Sequence, residues 1–274
     1  MRIETIESQV TGKNNAATCE DGVVVTDDFA AVVDGSTSKS SFRLHPRLSN
    51  GQYAMQMVCE EVRRLPRTTS LEGFCKTVTQ KFQEAYHTLG IDQSLLSSHP
   101  ENRPTASAAI YSLYRGEIWL VGDCQCLVNH VFHDNPKPEE STIAACRARW
   151  IEQWLHEGTE SISSLRVKDR GREMIVQDIV ATCHRQNKDF AVIDGWPIAI
   201  DKVKVIADGK ADEIVLSTDG YPWLYPSLSQ TESALKKQLE EDPLCIRTYQ
   251  ATKGQMAGYS SFDDRCYLRI KVHR

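Results

Sequence analysis

Four aspartates stand where apolar segments of the chain end or begin. Asp34, Asp123 and Asp219 each close a short apolar segment, and Asp263 follows Phe262. Aspartate is a poor strand former, and an ionised carboxylate at the edge of an apolar core is costly unless a cation or hydrogen bonds meet it. Converging carboxylates repel one another, and hard divalent ions with oxygen ligands remove that repulsion. The pattern therefore predicts a divalent-metal site.

The same dipeptides also have a plainer interpretation. Asp-Gly, as at Asp34 and Asp219, is the commonest turn dipeptide, so any one of these aspartates taken alone is better explained as a turn residue. Only the set of four favours a metal site, in which glycine after an aspartate lets the backbone approach an ion closely. Asp194-Gly195 is a further strand-end pair, for which a turn is expected.

Other catalytic and metal-binding patterns are missing from the sequence. No histidines have the H-E-x-x-H spacing, and Ser36 lies in no G-x-S-x-G elbow. Cys124 and Cys126 form a single C-x-C without a second pair, which does not favour a tetrahedral zinc site. The chain has nine cysteines, an odd and irregularly spaced set, so reduced thiols are expected.

Length, charge and composition argue against some classes of binding partner. The chain has 274 residues, a net charge of -5 and 25% charged residues of mixed sign, so no basic stripe indicates nucleic acid or an anionic membrane. No stretch approaches the roughly 18 apolar residues of a membrane span, and residues 1–13 lack the features of a secretory signal. A cytoplasmic monomer is expected.

Apolar periodicity predicts the elements that would position the four aspartates. Alternating or β-branched segments predict strands at 23–25, 29–33, 105–114, 117–121, 124–128, 190–193, 203–206, 213–217 and 265–272. Three- and four-residue spacing predicts helices at 53–65, from about 70 to 89, across much of 139–185 and at 231–241. Strands and helices come in runs, which favours an α+β fold with antiparallel sheets over a doubly wound parallel sheet. We expect one domain, 1–274, with a helical flap or insert at about 130–190.

The order of these motifs resembles the metal-dependent serine/threonine phosphatases of the protein phosphatase 2C type. The segments that carry the resemblance are Glu20-Asp21, Phe29 to Gly35, Arg103 to Ala108, Ile118 to Asp123, Glu213 to Gly220 and Asp263 to Cys266. They are similar, in that order, to the family's acidic pair, first Asp-Gly strand, small-residue strand, Gly-Asp strand, Ser-Asp-Gly strand and last strand. The resemblance covers most of the chain at the level of motifs.

The resemblance implies a fold and a cofactor. The fold is a four-layer α-β-β-α sandwich, in which two antiparallel sheets are flanked by helices. The cofactor is Mg²⁺ or Mn²⁺, two ions and, in bacterial members, a third and weaker one. By position, Asp34 is the carboxylate that bridges both metals, and Gly35 is a ligand through its carbonyl oxygen. Whether Asp263 or its neighbour Asp264 is the last ligand stays open.

The remaining ligands follow from the same resemblance. Asp219 and Asp263 would complete the shell of one metal, and together with Asp34 they are the catalytic set. Glu20 and Asp21 would serve the second metal, directly or through water. Asp123 would hold the third ion with Asp219.

Three departures from the family concern the substrate rather than the metals. Ser36 and Thr37 follow the first Asp-Gly, where many members have a histidine proposed as general acid. No arginine precedes the acidic pair, so Lys13 or the loop residue Arg43 would bind the phosphate instead. The third-metal motif continues Cys124-Gln125 where Ser-Arg is usual.

The expected activity is hydrolysis of a phosphorylated protein at phosphoserine or phosphothreonine. A water held between two metals about 3.5–4 Å apart would attack in line, without a covalent enzyme intermediate. The alternative is a catalytically weak or inactive domain that keeps the fold and binds a partner. A third interpretation is hydrolysis of a small phosphorylated metabolite.

Overall fold

The computed structural model describes all 274 residues and contains ten strands and seven α-helices. The strands are β1 (Arg2–Thr11), β2 (Asp21–Val25), β3 (Phe29–Gly35), β4 (Ala106–Ser112), β5 (Glu117–Val121), β6 (Gln125–Val128), β7 (Val131–His133), β8 (Lys204–Ala207), β9 (Glu213–Ser217) and β10 (Arg265–His273). The helices are α1 (Asn50–Arg64), α2 (Leu71–Thr88), α3 (Gln93–Ser98), α4 (Glu140–Glu157), α5 (Ile162–Val167), α6 (Arg170–Cys183) and α7 (Leu228–Glu241).

The strands form two five-stranded antiparallel sheets. The first has the order β1-β10-β9-β6-β7, and the second has the order β2-β3-β4-β5-β8. Every neighbouring pair of strands is antiparallel. The predicted α+β class with antiparallel sheets is confirmed.

Side-chain alternation on the strands separates three apolar layers. Even-numbered residues of β3, such as Val32, face the first sheet and pack in one core with Leu216 and Leu268. Odd-numbered residues such as Val33 face the other way and pack beneath α1 and α2. On the outer face of the first sheet, β9 and β10 pack against α7 through residues such as Leu235. The order is therefore helices, sheet, sheet, helix, which confirms the four-layer sandwich.

Several segments differ from the sequence prediction. Strand β1 is not predicted, because it is an edge strand that pairs only with β10 and its side chains are exposed or half-buried. Strand β7 and the short helix α3 are not predicted either. The prediction of a strand at 190–193 is wrong: this apolar segment is buried between a turn and a bend, and only Ile193 forms a bridge to a strand, with Ala106.

Residues 140–183 supply three helices between β7 and β8. Helices α4 and α6 pack on each other through Ile143, Ile175 and Ile179. None of the seven helices combines the length and apolar character that crossing a bilayer requires. All nine cysteines are free thiols, and eight of them are buried.

A buried arginine joins these helices to the loop that precedes β10. Arg147 of α4 is completely buried and forms an ion pair with Asp169, 2.7 Å from guanidinium to carboxylate. It also donates to the carbonyl oxygens of Leu244 and Ala251. The same Asp169 accepts the backbone N–H of Gly254. The charge of Arg147 therefore fixes residues 244–254 against α4 and α6.

Substitution Arg147→Met should lower the free energy of unfolding by about 3–5 kcal/mol, because it leaves Asp169 charged and unpaired in a buried position. Thermal or urea unfolding measures the change. Arg149→Met on the same helix is the matched control, since Arg149 is exposed, and its effect should stay within about 0.5 kcal/mol. Equal stability of the two variants would contradict the clamping role of Arg147.

Candidate metal centre

The ends of four strands meet at one edge of the sandwich. Strand β3 ends in Asp34-Gly35, and β5 and β9 are followed within two residues by Asp123 and Asp219. Strand β10 is preceded by Asp263-Asp264. Antiparallel pairing places Asp34 beside Asp21 of β2 on one side and beside Ser107 of β4 on the other.

Three of the predicted carboxylates converge at this edge. Asp34, Asp123 and Asp219 each offer an oxygen atom, and these three atoms lie within 4.8 Å of one another. Asp263 lines the same cavity as Asp34 and Asp219. Residues 34, 219 and 263, far apart in the sequence, are therefore neighbours in the structure.

Burial and neighbouring carboxylates raise the pKa of two members of this group, Asp34 and Asp219. Burial, together with the charges of Asp123 and Asp263, raises the pKa of Asp34 from its ordinary value of 3.8 to about 6. Burial and the charge of Asp34 raise the pKa of Asp219 well above its ordinary range. Hard, crowded oxygen donors with unfavourable ionisation are the donor set that Mg²⁺ and Mn²⁺ prefer, so these residues fit a divalent cation.

Asp123 and Asp263 differ from the other two because ammonium groups meet them. Although burial opposes ionisation, the ammonium of Lys137 holds the pKa of Asp123 below its usual range. Asp123 also accepts a 2.6 Å hydrogen bond from the hydroxyl of Ser107. Burial likewise opposes ionisation of Asp263, but ion pairs with Lys253 and Lys13 lower its pKa to about 2.

The acidic pair before β2 is hydrogen-bonded to hydroxyl groups. Glu20 accepts from Thr37 at 2.7 Å and from Ser49, the N-cap residue of α1, at 2.5 Å. Asp21 is buried and accepts from Thr218 at 2.6 Å, and burial followed by the charge of Asp34 raises its pKa. Glu20 and Asp21 therefore lie beside the three converging aspartates but outside their group of oxygens.

The two adjacent aspartates before β10 do different things. Asp264 is buried and accepts the backbone N–H groups of Lys13, at 2.7 Å, and of Glu20, at 3.1 Å. Asp263 faces the cavity instead. Asp264 thus holds the N-terminal segment in place, whereas Asp263 lies at the cavity, where Lys13 and Lys253 form ion pairs with it.

Gly35 allows the close approach of β3 to α1. A Cβ atom at this position would lie 2.2 Å from the carbonyl oxygen of Gly51 and 2.7 Å from that of Glu20. Both obstacles are backbone atoms, which cannot move aside, so no side chain fits here. The absence of a side chain brings the N-terminus of α1, with its cap Ser49, up to Glu20.

Lys13, expected to bind phosphate, already has carboxylate partners. Its ammonium lies 3.1 Å from Asp264, 3.2 Å from Asp263 and 3.9 Å from Glu20. Arg43 faces a surface groove rather than the cavity with Asp34. Asp194-Gly195 is the expected turn: Gly195 has a positive φ of 88°, and Asp194 is paired with Arg103.

The cavity has a wall that sequence reasoning missed. Its residues come from three places: the loop after β3, the helices α4 and α6 with the loop before them, and the loop before β10. Those that carry charge are Lys39, Lys137, Glu140, Arg172 and Lys253. No motif in the sequence marks them, because they lie in segments without strand periodicity and meet the aspartates only in the folded chain.

The raised pKa of Asp34 has a consequence for the metal-free protein. Because the folded state binds the Asp34 proton up to about pH 6, and the unfolded chain only to about 3.8, stability from this group is lost as the pH rises between these values. The substitution Asp34→Asn removes this pH-dependent loss of stability. Allowing for partial exposure, we expect a gain of about 1–2 kcal/mol, or about 2–6 °C in Tm, at pH 8 without metal.

Differential scanning fluorimetry checks this expectation. The two proteins should melt more nearly alike at pH 4, and Mn²⁺ at a hundred times its Kd should stabilise the parent by about 2.7 kcal/mol but not the variant. Asp201→Asn is the control, since the Asp201 side chain is 73% exposed and remote from the cavity. Equal stabilisation of Asp34→Asn by Mn²⁺ would refute the role given to Asp34.

No known protein-family model matches the chain, and no curated protein matches it. Solved structures do match over its full length. The serine/threonine phosphatase PstP/Ppp of Mycobacterium tuberculosis has 12% identity, a TM-score of 0.43 and 100% coverage of both chains. A serine/threonine phosphatase of Staphylococcus aureus has 11% identity, a TM-score of 0.46 and coverage of 100% of this chain and 98% of that one. PppA of Pseudomonas aeruginosa has 9% identity, a TM-score of 0.46 and coverage of 100% and 99%.

Proposed function

We propose that this protein is a divalent-metal-dependent phosphomonoester hydrolase that acts on phosphoserine or phosphothreonine in proteins. The observation that carries the proposal is the convergence of Asp34, Asp123 and Asp219, whose oxygens lie within 4.8 Å of one another. Two of these carboxylates ionise with difficulty in the absence of a cation. Such a group is unfavourable by itself and is suited to binding metal.

The ligand set follows the geometry and the motif resemblance together. Asp34 would be shared by two ions, with the carbonyl oxygen of Gly35 as a further ligand, and Asp219 and Asp263 would complete the ligands of one of these ions. Glu20 and Asp21 are candidates for the second ion, and Asp123 with Asp219 for a third. The ions would be Mg²⁺ or Mn²⁺, hard divalent cations that take oxygen donors such as these.

Bound ions would supply an activated water and neutralise charge on the phosphate oxygens. The chain's own residues prepare the site for this. Ser107 and Lys137 orient Asp123 by donating hydrogen bonds to its two oxygens. Thr218 orients Asp21, and Lys253 holds Asp263 from the opposite wall. These contacts fix the directions of the carboxylates before metal or substrate arrives.

A non-catalytic binding domain is the second candidate, and one observation favours it. Lys13 and Lys253 both pair with Asp263, so two ammonium groups already compensate one carboxylate that the hydrolase would use for metal. A domain of this kind would bind a partner without turnover. It would show no phosphatase activity with any metal.

Hydrolysis of p-nitrophenyl phosphate and of a phosphothreonine peptide, with and without Mn²⁺, tests the proposal. The parent should be active only with metal, Asp34→Asn should be inactive, and Asp201→Asn should match the parent. Activity that survives chelation, or full activity of Asp34→Asn, would contradict the proposal. Activity on small phosphorylated metabolites but not on the peptide would indicate that the substrate is a metabolite and not a protein.

A further inference from the structure

Two of the cavity's basic side chains have no carboxylate partner. Lys137 and Lys253 each form an ion pair with an aspartate. Lys39, in contrast, donates only to the hydroxyl of Ser36. Arg172 of α6 donates to the carbonyl oxygen of Thr252 at 2.9 Å and to its hydroxyl at 3.3 Å, and forms no ion pair.

The surroundings of these two cations are unfavourable for positive charge. Three apolar side chains, Ile143, Ile179 and Phe190, line the same cavity. Burial, and the nearby charges of Lys137, Arg172 and Lys253, lower the pKa of Lys39 to about 8, although Cys183 opposes this effect. Burial also lowers the pKa of Arg172. Neither cation forms an ion pair with a carboxylate, although the charges of Asp263 and Asp169 partly offset the lowered pKa of Arg172, so both side chains are suited to binding an anion.

The charges of the cavity indicate what anion fits. Four basic side chains line it, Lys39, Lys137, Arg172 and Lys253, and four acidic ones, Asp34, Glu140, Asp219 and Asp263. The lining is therefore neutral, and each divalent ion bound by the carboxylates would add two positive charges. A phosphate dianion would offset part of that charge. Lys39 and Arg172 are the cations that remain free to meet it.

We propose that Lys39 and Arg172 form the phosphate-binding pair of this site, holding the oxygens of a phosphomonoester that face away from the carboxylates. The inference rests on the proposed function for the identity of the anion. The planar guanidinium of Arg172 can donate two parallel hydrogen bonds, and Lys39 adds a point charge from the loop after β3. This assignment takes the place of Lys13 and Arg43, which face carboxylates and a surface groove.

The pair also gives the helical segment a role in recognising the substrate. Lys39 follows β3, whereas Arg172 belongs to α6, so a phosphate between them would contact both the sandwich and the added helices. Thr252 holds Arg172 from the loop that Arg147 clamps. The orientation of Arg172 therefore depends on the packing of α4 and α6.

Titration of the Mg²⁺-loaded protein with inorganic phosphate, followed by calorimetry, tests the pair directly. Lys39→Met and Arg172→Met should each weaken phosphate binding by about 10- to 100-fold, the usual effect of losing a charged hydrogen bond. Lys39→Arg, which keeps the charge, should bind within about threefold of the parent. Lys188→Met is the control, since Lys188 is exposed and contacts only the carbonyl of His184.

Manganese binding, measured by electron paramagnetic resonance, should have the same stoichiometry in the parent and in all four variants. Unchanged phosphate affinity in Lys39→Met and Arg172→Met would overturn the proposal, and so would a parent that binds no phosphate. If Lys39→Arg loses as much phosphate affinity as Lys39→Met while its Tm stays normal, the effect comes from packing and not from charge. That result would also overturn the proposal. A parent that binds phosphate through this pair but hydrolyses no ester would refute the proposed function alone.

Discussion

Repulsion among buried carboxylates is the constraint around which this molecule is arranged. Antiparallel pairing of the strands makes Asp34, Asp123 and Asp219 neighbours, and their mutual charge disfavours ionisation of Asp34 and Asp219. The fold meets this cost with hydroxyl donors, such as Ser107 and Thr218, and with ammonium groups on the surrounding loops. A divalent cation on these oxygens would remove the repulsion that remains between Asp34 and Asp219.

The predictable part of this protein is the part governed by local periodicity. Short continuous apolar segments identified β3 and β9, and the end of each segment at an aspartate identified Asp34 and Asp219 as unusual. Strand β1 is not predicted by the sequence, because an edge strand with little burial has no clear alternation of apolar residues. The apolar segment 190–193 is the opposite case: its sequence predicts a strand that does not form, since burial alone does not require a ladder of hydrogen bonds.

The cations of the cavity could not have been found in the same way. Lys39, Lys137 and Lys253 lie in loops, and Arg172 lies in the first turn of α6, whose polar residues resemble those of a solvent-exposed helix surface. Their proximity to the aspartates is a tertiary property, created when α4 and α6 fold back over the edge of the sandwich. Lys253 reaches Asp263 because the Arg147 clamp fixes the loop that carries it. The acidic residues of the site therefore lie at the ends of strands, which the sequence predicts, whereas the basic residues reach the site only through tertiary packing.

The hydrogen bonds of Asp264 join the two extremes of the sequence. This residue immediately precedes the last strand, β10, yet it accepts the N–H groups of Lys13 and Glu20, about 250 positions earlier in the chain. Strand β10 also lies between β1 and β9 in its sheet. A ribosome-bound chain that has emerged only as far as β9 consequently lacks Asp263 and Asp264, and the centre is complete only after both have been synthesised.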